Sequence, residues 1–189
     1  MNEKQISRPR HSARWRTARP RAVFGVVLAV MASSWLALNA APARAEDEVL
    51  GEFRDWFAVA YDDGGKKVCY AVSKPKKSDG DYTKRGPIYV QVTRRGGASG
   101  DVVSFEAGYP YKDGGEVEVT VKKKTFTLFA DRQTAWAYTA DDDRALVKAM
   151  RKGSKMTVVG FSRRGTKTTD TYSLYGFTLA HKAIVKACG

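Results

Sequence analysis

Cysteine and histidine are scarce in this chain: among 189 residues there are two of each, the cysteines being Cys69 and Cys188. That scarcity removes whole classes of chemistry. No C-x-x-C spacing exists for a dithiol redox centre, and too few imidazoles accompany the thiols to complete a zinc site. Only His181 lies beyond residue 45, and a lone histidine at helical spacing reads as a packing or surface residue rather than a catalytic base. The nucleophile elbow G-x-S-x-G is missing, since neither "GGASG" nor "RKGSKM" has its spacing. The glycine-rich run Arg94 to Gly100 lacks the Lys-Ser/Thr pair of a P-loop, and strand-like Val102 and Val103 follow it instead of a helix. No cofactor and no metal site is expected from these residues. Asp141, Asp142 and Asp143 invite a calcium reading, but an EF-hand alternates its ligands and closes on a glutamate, whereas three adjacent acids suit the start of a helix.

What is present begins with a leader. The first 21 residues carry seven basic side chains against the single acid Glu3, and the chain is then apolar from Ala22 to Ala41. With Ala43 and Ala45 in an A-x-A arrangement, residues 1–45 read as a signal peptide cleaved after Ala45. The alternative is a retained membrane anchor, since an apolar run of about 20 residues can cross a bilayer, although Ser33 and Ser34 interrupt this one. Cleavage leaves residues 46–189 as one domain, periplasmic or secreted, with no transmembrane segment of its own.

Most of the chain's net charge of +13 belongs to the leader; residues 46–189 keep 25 basic and 19 acidic groups, a balance of +6. This weakly basic surface is attracted to anions, but an exported protein has no nucleic-acid partner to meet. In an oxidising space Cys69 and Cys188 read as a disulfide, with free thiols or pairing between chains as the alternatives. A bond over that span stabilises by about 4–5 kcal/mol in the chain-entropy account.

Short alternating segments separated by glycine, aspartate or lysine turns point to an all-β, single-domain antiparallel β-sandwich. "EVEVTV" is the clearest, with Val117, Val119 and Val121 on one face. Comparable strands are expected over 53–61, 68–73, 88–93, 102–107, 125–129, 134–138, 156–163 and 166–174. Lys74 to Arg85 has no apolar period and is expected to be a polar loop. The aromatics, Trp56, Phe57, Phe105, Tyr109, Tyr111, Phe126, Phe129, Trp136, Tyr138, Phe161 and Phe177, are mainly core candidates. Two stretches follow a helical period: one near 142–152, acidic at its start and basic at its end with Gly153 beyond, and one near 177–187 that carries Cys188 back to the sheet. A strand remains an alternative for the second.

Basic clusters punctuate the turns: Lys74/Lys76/Lys77, Lys84/Arg85, Arg94/Arg95, Lys122/Lys123/Lys124 and Arg163/Arg164/Lys167. Turn lysines and arginines are ordinarily solvated, but Lys122, Lys123, Lys124, Arg163, Arg164 and Lys167 are the candidate anion-binding residues if they converge on one rim. No motif supports catalysis, so a hydrolase built on a carboxylate pair is the weakest of the three functional readings. The others are an interaction protein, with an envelope or host-surface protein as partner, and a module for an anionic polymer such as lipopolysaccharide or a sulfated glycan.

The ordered segments "FRDWFAV", "EAGYPYKDGGEVEVTVKKKTFTLFADRQTAWA", "LVKAMRKGSKMTVVG" and "RGTKTTDTYSLYGFTLAHKAI", together with the late cysteine, resemble the invasion associated locus B family of Gram-negative bacteria. The similarity runs from Glu52 to Cys188. It implies export, a β-sandwich, and a link by name to host-cell invasion with no catalytic reaction attached; a shared fold does not by itself transfer that role. Two departures stand out. Arg54 occupies a position where many relatives carry glycine before Asp-Trp, and Ala60 and Tyr61 stand where some members have a further cysteine, so a second disulfide cannot form there.

Overall fold

The computed structural model describes residues 47–98 and 100–189; the expected signal peptide, residues 1–45, lies outside the described residues. Eleven strands and two helices follow in the order β1 (Glu48–Phe53), β2 (Trp56–Asp62), β3 (Lys67–Ser73), β4 (Lys77–Gly80), β5 (Tyr89–Arg95), β6 (Asp101–Glu106), β7 (Glu116–Val121), β8 (Lys124–Asp131), β9 (Thr134–Trp136), α1 (Ala140–Lys152), β10 (Lys155–Phe161), β11 (Lys167–Ser173) and α2 (Phe177–Cys188). The strands form one continuous antiparallel sheet in the order β1-β2-β3-β5-β6-β9-β8-β7-β10-β11-β4.

That sheet folds over on itself, giving the expected all-β, sandwich-like body. Although β2 and β11 stand far apart in the strand order, the Trp56 indole Nε1 donates to the Ser173 carbonyl at 3.0 Å. Phe105 of β6 likewise meets Tyr172 of β11 edge to face, ring centroids 6.3 Å apart. The buried face alternates as the pleat requires: Val117, Val119 and Val121 in β7, Met156 and Val158 in β10, Trp56, Ala58 and Ala60 in β2 are all inside. Four of the expected core aromatics do not join them, since Phe57, Phe129, Tyr138 and Phe161 are exposed. Each sits one position out of phase with the buried residues of its own strand or follows a strand end, so the pleat sends it to solvent.

The helices seal the fold. Thr139 caps α1, its hydroxyl accepting from the Asp142 N–H, and Asp141 to Asp143 occupy the first turn. α2 has no side-chain cap: Gly176 precedes it with φ 92°, a left-handed conformation that brings its α-carbon against the Phe53 carbonyl. Phe177 then packs on Trp56 with centroids 4.7 Å apart, and Ala180, Ile184 and Cys188 continue the buried stripe.

Two sequence expectations need correction. The strand expected over 53–61 is interrupted at Arg54 and Asp55, which form the tight turn between β1 and β2. The polar stretch 74–85 is not all loop, because Lys77 to Gly80 form β4 and pair with β11. This short edge strand carries Lys77 and Asp79 and has no apolar face to announce it. It is reached by a crossover from β3, third in the sheet, to the far margin beyond β11.

Candidate functional site

That crossover builds a groove. The chain after β4 supplies Tyr82, Lys84 and Arg85, the segment after β6 supplies Gly108, Tyr109 and Pro110, and the β10–β11 hairpin supplies Ser162, Arg163, Arg164 and Thr166. They enclose an open cleft of about 860 Å³. Gly86 and Gly108 let two backbones touch at its edge, with the Gly86 N–H donating to the Gly108 carbonyl at 2.8 Å. Gly108 has φ 71°, and a Cβ there would strike the Gly86 carbonyl.

Arg85 anchors the floor. Its Nη1 and Nη2 donate to Asp170 Oδ1 and Oδ2 at 2.9 and 2.8 Å, and its Nε donates to the Ala107 carbonyl at 2.9 Å. Both side chains are almost fully buried, 3% and 6% exposed. The guanidinium carbon also lies 5.1 Å from the Tyr82 ring centroid and 4.9 Å from that of Tyr109. Burial pulls the Arg85 pKa down, but the Asp170 carboxylate outweighs it and the group is held above its ordinary value. Burial raises the Tyr109 phenol, which therefore stays protonated and shares a hydrogen bond with the Thr168 hydroxyl. The sequence reading of Lys84/Arg85 as a solvated turn thus holds for exposed Lys84 and fails for Arg85. Its partner is 85 residues away, with no local signal.

The six candidate anion-binding residues fall into two groups. Arg163, Arg164 and Lys167 are exposed on the β10–β11 hairpin, the first two lining the groove and Lys167 just outside it. Lys122, Lys123 and Lys124 form the β7–β8 turn, where the Lys124 ammonium sits 4.7 Å from the Phe126 ring centroid. Val121 pairs with Met156 near the start of β10, whereas Phe161 pairs with Lys167 at its end. The two clusters therefore stand at opposite ends of the strand, roughly 15–20 Å apart along it. What joins Arg163 and Arg164 instead is Lys84.

Cys69 and Cys188 are bonded, with α-carbons 6.0 Å apart, tying α2 to β3. Beside this bond is a second buried polar cluster. Asp101 Oδ1 accepts from Arg94 Nε and its Oδ2 meets His181 Nε2, both at 2.8 Å. Burial opposes the Asp101 charge, yet the bonds and charges of His181 and Arg94 together hold its carboxyl below the usual range. Arg94 and Asp101 flank the glycine-rich loop, so this cluster fixes its stem to α2. Asp143 turns inward from α1, and its Oδ1 accepts from the Val103 N–H at 2.9 Å. Burial, with Asp101 and Asp142 nearby, raises the Asp143 carboxyl despite that bond.

A continuous run, residues 56–185, matches the family described as "Invasion associated locus B (IalB) protein". The chain belongs to the IalB family. The IalB match contains the whole groove, both members of the Arg85–Asp170 pair and the Arg94–Asp101–His181 cluster, while Cys188 lies just beyond its end. No curated protein and no solved structure matches the chain.

Proposed function

We propose that this IalB protein is exported and acts in the periplasm or outside the cell as a non-enzymatic interaction protein, with the groove as its recognition surface. The observation that carries the reading is the way the groove divides its charges. The buried carboxylate of Asp170 is held by both prongs of Arg85, while Lys84, Arg163 and Arg164 face outward. A clamped carboxylate is poorly placed to take or give a proton, and exposed cations on a fixed frame suit recognition. The buried Cys69–Cys188 bond supports an oxidising compartment, and the basic and apolar leader supports export. No helix among the described residues is long and apolar enough to cross a membrane.

The test places a photo-crosslinking residue at Thr166 on the groove rim in living cells. A discrete envelope or host-surface protein, lost when Arg163 and Arg164 are changed to Glu, is the expected product. Turnover of a peptide or glycan that disappears with one carboxylate substitution would overturn the non-enzymatic reading. Mass spectrometry of the exported form, expected to begin at Glu46, tests the compartment.

A second reading is binding of an anionic polymer, lipopolysaccharide or a sulfated glycan. The clustering of Lys84 with Arg163 and Arg164 around one cleft favours it.

A further inference from the structure

We infer that the groove takes a short segment of an anionic glycan, its sulfate or phosphate groups held by Lys84, Arg163 and Arg164 and a sugar ring laid against Tyr82, Tyr109 and Pro110. The inference rests on the second reading above and assigns it to one end of the molecule. Three observations support it. The groove's exposed lining carries three cations against the single acid Asp81. Arg163 has a competing partner in Asp113, but that pair is 3.4 Å long and largely exposed, hence weak and readily exchanged for a better anion. The floor adds no opposing field, because Arg85 and Asp170 neutralise each other at bonding distance.

The remaining lining suits a sugar rather than a bare ion. Tyr82 and Tyr109 are half-buried, locked in place by Arg85, by the Ser78 carbonyl that accepts from the Tyr82 hydroxyl, and by Thr168. With one side of each ring covered by Arg85, the half-exposed tyrosines and the exposed proline give the lining an apolar stretch suited to the C–H face of a pyranose, and Thr83 and Thr166 belong to the same lining. A cleft of 860 Å³ is far larger than one sulfate needs and lies within the roughly 300–1,000 Å³ range of small-ligand sites. The lysine turn at 122–124 has comparable charge but stands at the other end of β10, without these rings, and takes no part.

Calorimetric titration of the folded protein tests this with four probes at low and high salt: a heparin-derived oligosaccharide, a delipidated phosphorylated lipopolysaccharide core, a neutral dextran of similar length and a polyglutamate peptide. At least one anionic oligosaccharide is expected to bind, more weakly in salt, and the dextran not to bind; which oligosaccharide is tighter identifies the source of the anion. Changing Arg163 and Arg164 to Glu should lower affinity about tenfold or more, while changing Lys122 and Lys123 to Glu, an equal charge change, should alter it less than about twofold. Tyr82→Ala should weaken the glycan several-fold without changing the salt dependence. Both charge variants alter exposed turn residues, and a thermal melt verifies their fold. Equal losses in the two charge variants would mean bulk attraction and overturn the site. Polyglutamate binding as tightly as either glycan would overturn the glycan assignment and leave anion binding standing. No retention of any anion at low salt would end both.

Discussion

Arg85, in the segment between β4 and β5, and Asp170, in the middle of β11, meet through two parallel hydrogen bonds across 85 residues of chain. Neither is solvated, so removing one partner strands the other. Arg85→Met or Asp170→Leu is expected to cost about 3–5 kcal/mol, whereas the double change Arg85→Met with Asp170→Leu should cost far less than the two singles combined. Urea unfolding midpoints of the four proteins in this cycle check it.

Gly176 and Arg54 face each other beside the start of α2, and both have left-handed backbones, one met by glycine and the other not. A Cβ on Gly176 would overlap the Phe53 carbonyl, and its φ of 92° is left-handed. Gly176→Ala is therefore expected to lose at least about 3 kcal/mol. Arg54 has φ 57°, as do its counterparts in two other tight turns, Lys122 at 56° and Arg132 at 54°. Arg54→Gly restores the residue type expected from the family resemblance and should raise stability by about 0.5–1 kcal/mol, since the left-handed penalty exceeds the entropy glycine adds to the unfolded chain. Thermal melts of both variants decide the matter.

Asp101 and Asp143 carry opposite pH signatures. Asp101 has a lowered folded pKa, so its contribution is present above the unfolded carboxylate range and is lost as pH falls through the folded value. Asp101→Asn should destabilise at neutral pH, with the deficit shrinking in acid. Asp143 has a raised folded pKa, so its contribution is full in acid and lost as pH rises through that value. Asp143→Asn keeps an oxygen for the Val103 N–H, removes a charge near Asp101 and Asp142, and should stabilise at neutral pH with no gain in acid. Melting temperature against pH for the two variants separates the signs.

The cross-link between β3 and α2 is inside, Cys69 fully buried and Cys188 3% exposed. Native protein should therefore bind no alkylating reagent without reductant and resist reduction until it unfolds. Changing both cysteines to Ala is expected to lower stability by up to about 4–5 kcal/mol. Denaturant titrations of oxidised, reduced and doubly substituted protein measure it.

Much of the fold was legible in the chain because its energetics are local and periodic. The alternating valines of β7 and the spaced Phe177, Ala180 and Ile184 of α2 report which face is buried, and charged ends with Gly153 frame α1. β4 was not legible, since an edge strand of Lys, Ser, Asp and Gly is held by pairing with β11 and not by its own side chains. Asp170 shows the same gap. It occupies an inward position of β11 that pattern alone assigns to an apolar residue, and only Arg85, delivered by the crossover, makes a charge tolerable there. Arg163 and Arg164 could be picked out as an exposed basic turn. Their separation from Lys122 to Lys124 follows from β7 and β10 running antiparallel, a fact of register that no single segment contains.

The excursion that carries the chain from β3 to the far margin has a kinetic side. β4 and Arg85 are synthesised well before β11, yet they have nowhere to dock until that strand exists. Assembly therefore includes a long-range closure, the kind of event that makes high-contact-order proteins fold over milliseconds to seconds. During that wait an unmatched arginine and a bare strand edge are on view, and it is then, before the native state is reached, that this molecule is most open to joining the wrong neighbour.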